Sequence, residues 1–193
     1  DGDLDLVCGN LRQNTTLYSN LGTTFEPTPS WSSGPQASSV ALGDVDRDGD
    51  LDLVCGSSSP FGPQSTTLYQ NLGTTFEPTP SWSSGPQEGT SSVALGDVDG
   101  DGVLDLVCGN FRQNTTLYRN LGTTLDTMPS WSSGREDPTT SAALGDVDGD
   151  GDLDLVCGNY DASTTLYRNL GSTLASMPSW ASGRQDRTSS VAL

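Results

Sequence analysis

The stretch GDVDRDGDLDL, residues 43–53, places aspartates at positions 1, 3, 5 and 9 of a short loop counted from Asp44, with glycine at position 6. The same spacing starts again at Asp97 and at Asp146, and residues 1–5 repeat its second half. Aspartates this close repel one another unless a cation lies among them. Calcium takes about six to eight oxygen ligands in flexible geometry. The loop therefore predicts a calcium site, and magnesium, which demands stricter octahedral geometry, fits less well.

The remaining loop positions support the same interpretation. Position 6 is always glycine, as expected where the backbone bends sharply with a positive φ. Position 7 includes Val103, whose side chain carries no oxygen, so this position is expected to offer its backbone carbonyl. Position 2 is always valine and position 8 is always leucine. These apolar side chains are predicted to anchor each loop to a core.

Two other structures could account for this acidic loop. An EF-hand needs a glutamate at position 12 and flanking helices, but position 12 here is cysteine and the flanks resemble strands. A solvated acidic turn is the simpler alternative, because aspartate and glycine are common turn residues. Three full copies with fixed spacing favour the metal site.

The charge of the chain is concentrated in these loops. The net charge is −17, and 17 of the 25 acidic residues belong to the four loop copies. Nothing resembles a basic patch, which argues against nucleic acid as a partner. The chain has no histidine and no lysine, so the usual general base and the Ser-His-Asp triad are missing, and we expect no enzyme. No apolar run is long enough for a membrane span, so membrane insertion is not expected.

The whole chain is repetitive. Tryptophans recur at Trp31, Trp82, Trp131 and Trp180, 51, 49 and 49 residues apart, which gives repeats of about 49 residues. The predicted repeats are 1–43, 44–96, 97–145 and 146–193 in one continuous array. Four short strands are expected per unit, as in Ser39–Gly43, Leu51–Cys55, Thr15–Tyr18 and Thr23–Ser32, the last an edge strand because of its prolines. This all-β pattern of four antiparallel strands per unit is typical of β-propeller blades.

The sequence GDVDGDGDLDLVCGN at 145–159, followed by TLYRNLG at 165–171, resembles the FG-GAP/VCBS repeat of integrin alpha-subunit propellers and of many secreted or surface proteins. The resemblance covers essentially the whole chain. It implies blades loaded with calcium, about one ion per complete loop, with the metal loop between the first and second strands. It implies side-chain ligands at Asp44, Asp46, Asp48, Asp52, Asp97, Asp99, Asp101, Asp105, Asp146, Asp148, Asp150 and Asp154. The carbonyls would come from Asp50, Val103 and Asp152, and Asp1, Asp3 and Asp5 belong to the divided fourth copy.

The chain also departs from the family pattern. It begins inside one metal loop, and Leu193 stands just before another would start. Three arrangements stay open: a window on a longer array, copies joined end to end into a ring or fibre, or four units closing a small ring. The first two are favoured, since open repeat arrays need polar caps and identical uncapped units suit head-to-tail assembly.

These features predict a calcium-stabilised extracellular or cell-surface repeat protein with a structural or adhesive role. The alternative is a module that binds glycan or protein through the variable loops, such as Pro60–Gln64. A lyase on a propeller scaffold is disfavoured, because no unit carries a distinct polar cluster.

Other residues carry narrower expectations. The four cysteines, Cys8, Cys55, Cys108 and Cys157, occupy equivalent positions, which on neighbouring blades lie beyond the roughly 7 Å Cα limit of a disulfide. They are predicted to be small buried apolar residues. The repeated tryptophan and tyrosine are expected to pack between blades, with a carbohydrate platform as the alternative.

Two sets of polar residues complete the predictions. Arg12, Arg112, Arg119 and Arg168 are expected to pair with surplus carboxylates. Asn14 and Asn114 begin N-glycosylation sequons in predicted surface loops.

Overall fold

The computed structural model describes residues 3–34, 36–58, 65–85 and 89–193, which form antiparallel sheets and no helix. The first sheet comprises β1 (Leu6–Cys8), β2 (Thr16–Tyr18) and β3 (Trp31–Ser32). The second comprises β4 (Ser39–Gly43), β5 (Asp52–Gly56), β6 (Thr67–Tyr69) and β7 (Trp82–Ser83). The third comprises β8 (Thr90–Gly96), β9 (Asp105–Asn110), β10 (Thr116–Tyr118) and β11 (Trp131–Ser132). The fourth comprises β12 (Thr139–Gly145), β13 (Asp154–Ala162), β14 (Thr165–Tyr167), β15 (Trp180–Ala181) and β16 (Asp186–Arg187).

In each sheet the strands pair in chain order, except that β16 pairs with β13, and the all-β, blade-like prediction is confirmed. The strands β4 and β5 pair in a register that sets Gly43 opposite Asp52. The acidic loop is therefore the connection between the first and second strands, as predicted. The second strand β5 is buried along its whole length, as its continuous apolar sequence implies.

The fourth strand of each unit is shorter than predicted. The sequence predicted Thr23–Ser32, but only Trp31–Ser32 pairs with the neighbouring strand. A turn closed by the bond from Leu21 N to Thr24 O, 2.7 Å, bends the chain before that point. Pro27 and Pro29 have no backbone N–H to give to a strand ladder, so a single bridge between Asn20 and Phe25 forms before them and the paired strand itself is only Trp31–Ser32.

Aromatic side chains join each blade to the next. The Trp31 ring meets the Tyr69 ring edge-on at 5.1 Å, and Trp31 Nε1 donates to Glu77 O at 3.1 Å. The same ring contacts join Trp82 to Tyr118 and Trp131 to Tyr167. These three tryptophans are buried, which confirms the prediction that they pack between blades.

The first strands of neighbouring units are also joined by hydrogen bonds from backbone to serine side chains. Ser39 Oγ accepts from Val93 N at 3.1 Å, and Ser92 Oγ accepts from Ala142 N at 3.0 Å. Ser141 Oγ accepts in the same way from Val191 N at 3.1 Å. Residues 188–193 therefore lie in the position that the first strand of a further unit would take. Among the described residues no strand pairs between sheets, and Trp180 is 53% exposed where the equivalent Trp131 is 8% exposed, so no blade covers the fourth unit.

The cysteine prediction is confirmed by burial. Cys55, Cys108 and Cys157 are buried free thiols, and Cys8 in the first sheet is half-buried. Burial raises the pKa of Cys108 and of Cys157 to about 12, so these thiols stay protonated at neutral pH.

Candidate metal centres

Three aspartates converge in each complete loop. One carboxylate oxygen from each of the residues at positions 1, 3 and 5 lies within 4.8 Å of the others in the group. The groups are Asp44, Asp46 and Asp48, then Asp97, Asp99 and Asp101, then Asp146, Asp148 and Asp150. The sequence prediction of these nine residues as neighbours is therefore confirmed in space.

The aspartate at position 9 stabilises the loop through two backbone hydrogen bonds. Asp52 is fully buried; its Oδ2 accepts from Val45 N at 2.9 Å and its Oδ1 from Asn71 N at 2.9 Å. Asp105 and Asp154 make the equivalent bonds. These carboxylates lie outside the three converging groups. The sequence pointed to position 9 only as a ligand and missed its role in tying the loop to the third strand.

Glycine supplies the bend at position 6. Gly49, Gly102 and Gly151 have φ of 96°, 85° and 97°, as predicted. The N–H of each glycine points into the loop and bonds the carboxylate at position 1, for example Gly102 N to Asp97 Oδ2 at 2.9 Å. The loop backbone is thus wrapped around the acidic cluster.

The acidic cluster carries an electrostatic cost in the absence of a cation. Burial raises the pKa of Asp46, and the neighbouring carboxylates of Asp48 and Asp44 raise it further. Burial likewise raises the pKa of Asp52. Asp44 Oδ1 is buried and has no hydrogen-bond partner. An unpaired buried acceptor among like charges is suited to a cation.

The chemistry of the donors fits calcium. All converging side-chain groups are carboxylates, hard oxygen donors of the kind that calcium prefers, and no cysteine lies among them. The third loop copy is more open than the others, with all three converging aspartates exposed. Asp3 and Asp5 of the divided copy are exposed too, whereas Asp1 lies outside the described residues.

A further residue from the third strand contacts each loop. Gln70 Nε2 donates to Asp46 Oδ2 at 2.9 Å, and Arg119 Nε pairs with Asp99 Oδ2 at 3.3 Å. Arg168 pairs with Asp148. The expected pairing of Arg119 and Arg168 with carboxylates is confirmed. Gln70 was missed, although it occupies the same repeat position as the two arginines.

The other two arginines do not follow that expectation. Within the part of the chain that the structure describes, neither Arg12 nor Arg112 forms an ion pair. The Arg112 guanidinium lies over the Phe111 ring, 5.4 Å from its centre. Both residues belong to the connection at the opposite end of the second strand from the metal loop, so no loop carboxylate is in reach.

The prediction that every loop valine and leucine is anchored in a core is wrong for some copies, since Leu51 is 53% exposed and the valines differ along the array. Val45 and Val98 are buried, whereas Val147 is 44% exposed. Asn120 Nδ2 donates to Val45 O at 2.7 Å and Asn169 Nδ2 donates to Val98 O at 2.7 Å. The valine of one loop is therefore covered by the following blade.

A cavity of about 340 Å³ lies between the first and second sheets. Leu42, Leu51 and Asn71 line it. At the next interface, the equivalent Leu95 and Leu104 pack against Gly43, and the equivalent asparagine bonds a loop valine carbonyl. The cavity thus occupies the place where the first unit's equivalents of Gly43 and Val45 would sit.

The predicted glycosylation sites differ in access. Asn14 is exposed, and its Nδ2 donates to Ser32 Oγ at 3.1 Å. Asn114 is half-buried, and its backbone carbonyl accepts from Asn110 Nδ2 at 2.8 Å. The variable loop Pro60–Gln64, suggested for ligand binding, lies outside the described residues.

A family model described as FG-GAP-like repeat matches the chain four times, over residues 1–55, 57–108, 97–157 and 146–193. The chain belongs to the FG-GAP-like repeat family. Each of the three complete acidic loops falls within matched FG-GAP-like sequence, as do the strands that flank it.

Among curated proteins, no sequence matches this FG-GAP-like chain. Among solved structures, it is similar to one described as a crystal structure of BBS1N in complex with ARL6DN, soaked with lead. The TM-score is 0.58 at 14% identity, and the match covers 95% of this chain and 54% of the other. This likeness supports the fold, and the FG-GAP-like chain spans about half of that protein chain.

Proposed function

We propose that this FG-GAP-like array is a calcium-stabilised extracellular repeat module with a structural or adhesive role. The observation that carries the proposal is the convergence of three carboxylates in every complete loop, with a buried, unpartnered oxygen on Asp44. No described residue cluster offers a histidine, cysteine or lysine centre for catalysis, and a non-enzymatic role is part of the proposal.

The residues that would hold calcium are the converging aspartates at positions 1, 3 and 5, helped by the carbonyls of Asp50, Val103 and Asp152. Bound calcium would supply positive charge to a cluster whose carboxylates otherwise repel. The position 9 aspartates already accept two backbone N–H bonds each and would support the loop from behind. Extracellular modules bind calcium in the range of about 10⁻⁴ to 10⁻³ M, which suits half-exposed loops of this kind.

The first test is thermal unfolding with and without calcium. Saturating calcium at about 100 times the dissociation constant should raise Tm by about 5–10 °C for each loaded loop. An excess of chelator should reverse the gain. Asp97→Asn should remove about one third of the calcium effect, whereas the matched control Asp186→Asn, outside the loops, should leave it intact. An unchanged Tm in calcium and in chelator would contradict the calcium proposal.

A second proposal concerns the partner. We infer that the array adds further units of the same repeat at its ends, from a second copy of the chain or from more repeats in the same polypeptide. Trp180 is 53% exposed although the equivalent Trp131 is 8% exposed, and the cavity at Leu42 and Leu51 matches the seat of a loop glycine and valine that no described residue of the first sheet supplies. A large apolar side chain that is exposed where its repeat equivalents are buried is suited to being covered by another unit.

Self-association is tested by sedimentation over a range of protein concentration. Copies that join head to tail should sediment faster as concentration rises, and Trp180→Ala should abolish the change. Met177→Ala is the matched control, because Met177 is also exposed but belongs to no repeated ring contact. A monomer at every concentration would reject assembly from separate copies and leave continuation within one polypeptide.

The adhesive role makes a separate prediction. Beads coated with the calcium-loaded array should bind immobilised glycan or protein surfaces, and chelator should release them. Failure on every surface, with calcium binding intact, would favour a purely structural role. The glycan-binding alternative is distinguished by competition, since only it predicts that free sugar displaces the beads.

A further inference from the structure

We propose that the residue after the third strand sets the calcium affinity of each of the three loops. Loop 44–52, which Gln70 contacts, would bind a dication more tightly than loops 97–105 and 146–154, which arginines contact. The inference rests on the proposed calcium function. It assigns to Gln70, Arg119 and Arg168 the role of positioning residues that set affinity from outside the ligand group.

All three residues make the same contact with different charge. Gln70 Nε2 donates to Asp46 Oδ2 at 2.9 Å, and Arg119 Nε pairs with Asp99 Oδ2 at 3.3 Å. Arg168 pairs with Asp148 and also lies 3.9 Å from Asp154 Oδ2 through its Nε. In each loop the contacted group is the aspartate at position 3. The glutamine fixes that carboxylate with a neutral amide, whereas the arginines fix it with a full positive charge.

The difference in charge acts directly on a cation. A guanidinium is always charged in proteins, and it occupies carboxylate lone pairs that a metal ion would otherwise use. Like charges within a few ångströms repel, and partial exposure reduces this effect without removing it. An amide donor orients the same oxygen without repelling the ion. In the loop with glutamine, the position 3 carboxylate is therefore still oriented, and a bound cation is not repelled by a guanidinium group.

A second arginine beside loop 97–105 should lower the calcium affinity of that loop further. Arg47, at position 4 of the first complete loop, points away from its own loop and donates to Asp101 O in the next loop at 3.4 Å. Its backbone has φ of 65°, in the region where the equivalent Gly100 and Gly149 have φ of 76° and 78°. Loop 97–105 thus has two guanidinium groups beside it, from Arg47 and Arg119.

The number of carboxylates also places loop 97–105 last. Loops 44–52 and 146–154 contain five aspartates each, whereas loop 97–105 contains four because Val103 stands at position 7. Calcium affinity in loops depends on ligand charge and on site rigidity. The expected order of affinity is loop 44–52 first, loop 146–154 second and loop 97–105 last.

The experiment is a calcium titration of the ¹⁵N-labelled chain followed by NMR. The amides of Gly49, Gly102 and Gly151 each bond the position 1 aspartate of a different loop, so each reports one site. The Gly49 signal should reach its midpoint at the lowest calcium concentration and the Gly102 signal at the highest. Single exposed charge pairs change affinity by about twofold to fivefold.

Exchange of the residues tests the cause. Gln70→Arg should raise the Gly49 midpoint by about twofold to fivefold, and Arg168→Gln should lower the Gly151 midpoint by a similar factor. Arg112→Gln is the matched control, because it removes the same charge from a residue that stacks on Phe111 at the other end of the blade. It should leave all three midpoints in place.

The outcomes separate this inference from the proposal beneath it. If no glycine amide moves and Tm stays constant in calcium, the calcium function itself fails and the inference fails with it. If all three amides move but the midpoints are equal, or ignore the exchanges, calcium binding stands and the gradation is wrong. If Arg112→Gln shifts the midpoints as much as Arg168→Gln, net charge explains the effect and the positioning role is overturned.

Discussion

Trp131 and Trp180 are the same residue at the same place in two neighbouring units, yet they differ sharply in environment. Trp131 is 8% exposed, meets the Tyr167 ring at 5.1 Å and donates to Ala175 O at 3.1 Å. Trp180 is 53% exposed. Identical local sequence therefore gives a buried anchor where a following blade is present and a solvated side chain where none covers it. Burial in this array is a property of the interface between units.

The metal loops show the same contrast. Val45 and Val98 are buried, and each is covered by an asparagine from the following blade. Val147 is exposed, and so are the three converging aspartates of its loop. A loop with a following blade is thus less exposed than one without, although the converging aspartates stand at the same positions.

The largest expected effect comes from the tryptophans themselves. Trp82→Ala removes a buried ring that packs on Tyr118 and should lower the free energy of unfolding by about 3–5 kcal/mol. Trp180→Ala should change it by less than about 0.5 kcal/mol, because the side chain is already solvated. Denaturant unfolding of both variants measures the difference. Equal losses would show that Trp180 is buried in solution.

The next largest change in the free energy of unfolding is expected where the first strands of neighbouring units approach closely. A Cβ at Gly96 would lie 2.8 Å from Leu144 Cδ1 and 2.9 Å from Leu153 Cδ1 of the next unit. Gly96→Ala should therefore cost about 1–3 kcal/mol through overpacking. Gly34→Ala, with nothing within 4 Å of the added carbon, is the control and should be close to neutral. A neutral Gly96→Ala would mean that the interface is looser than described.

A pair of asparagines isolates one hydrogen bond between blades. Asn71 and Asn120 both bond inside their own units, but only Asn120 also donates to a preceding loop, at Val45 O. Alanine at Asn120 should cost about 1 kcal/mol more than alanine at Asn71. Thermal or urea unfolding of the two variants gives the comparison. A reversed order would contradict the role assigned to the bond.

Alkaline pH acts on the buried thiols of the second strands. Burial raises the pKa of Cys108 and Cys157 to about 12, so the folded chain keeps thiol protons that the unfolded chain loses near pH 9. The contribution of these thiols to stability is complete below the unfolded pKa and is lost between about pH 9 and pH 12. Urea midpoints should be flat from pH 7 to 8 and fall above that range, in reducing buffer.

Thiol labelling supplies the comparison within the chain. Half-buried Cys8 should react with a thiol reagent in the folded protein, whereas Cys108 should react only on unfolding. The variant Cys108→Ala should show a shallower alkaline loss. Labelling of Cys108 at the rate of Cys8 would contradict the burial of the second strand.

Much of the fold was predictable because it depends on local chemistry. The alternation of acidic loop and apolar strand located the hairpin from Gly43 to Asp52, and invariant glycine at position 6 indicated the positive φ. The fourth strand was predicted too long, because sequence shows where prolines stand but not where pairing begins. The support role of Asp52 was missed, because its partner Asn71 is distant in sequence.

The sequence by itself determined the repeat length, the strand order in each blade, the place of every acidic loop and the identity of the oxygen donors. These follow from periodicity, turn chemistry and charge, which act over a few residues. Only the tertiary structure decided which copies are covered, because burial depends on a neighbouring blade. It also decided which side chain reaches each position 3 aspartate. Gln70 and Arg168 lie at equivalent places in sequence, and their contacts with Asp46 and Asp148 form only when the third strand folds against the loop.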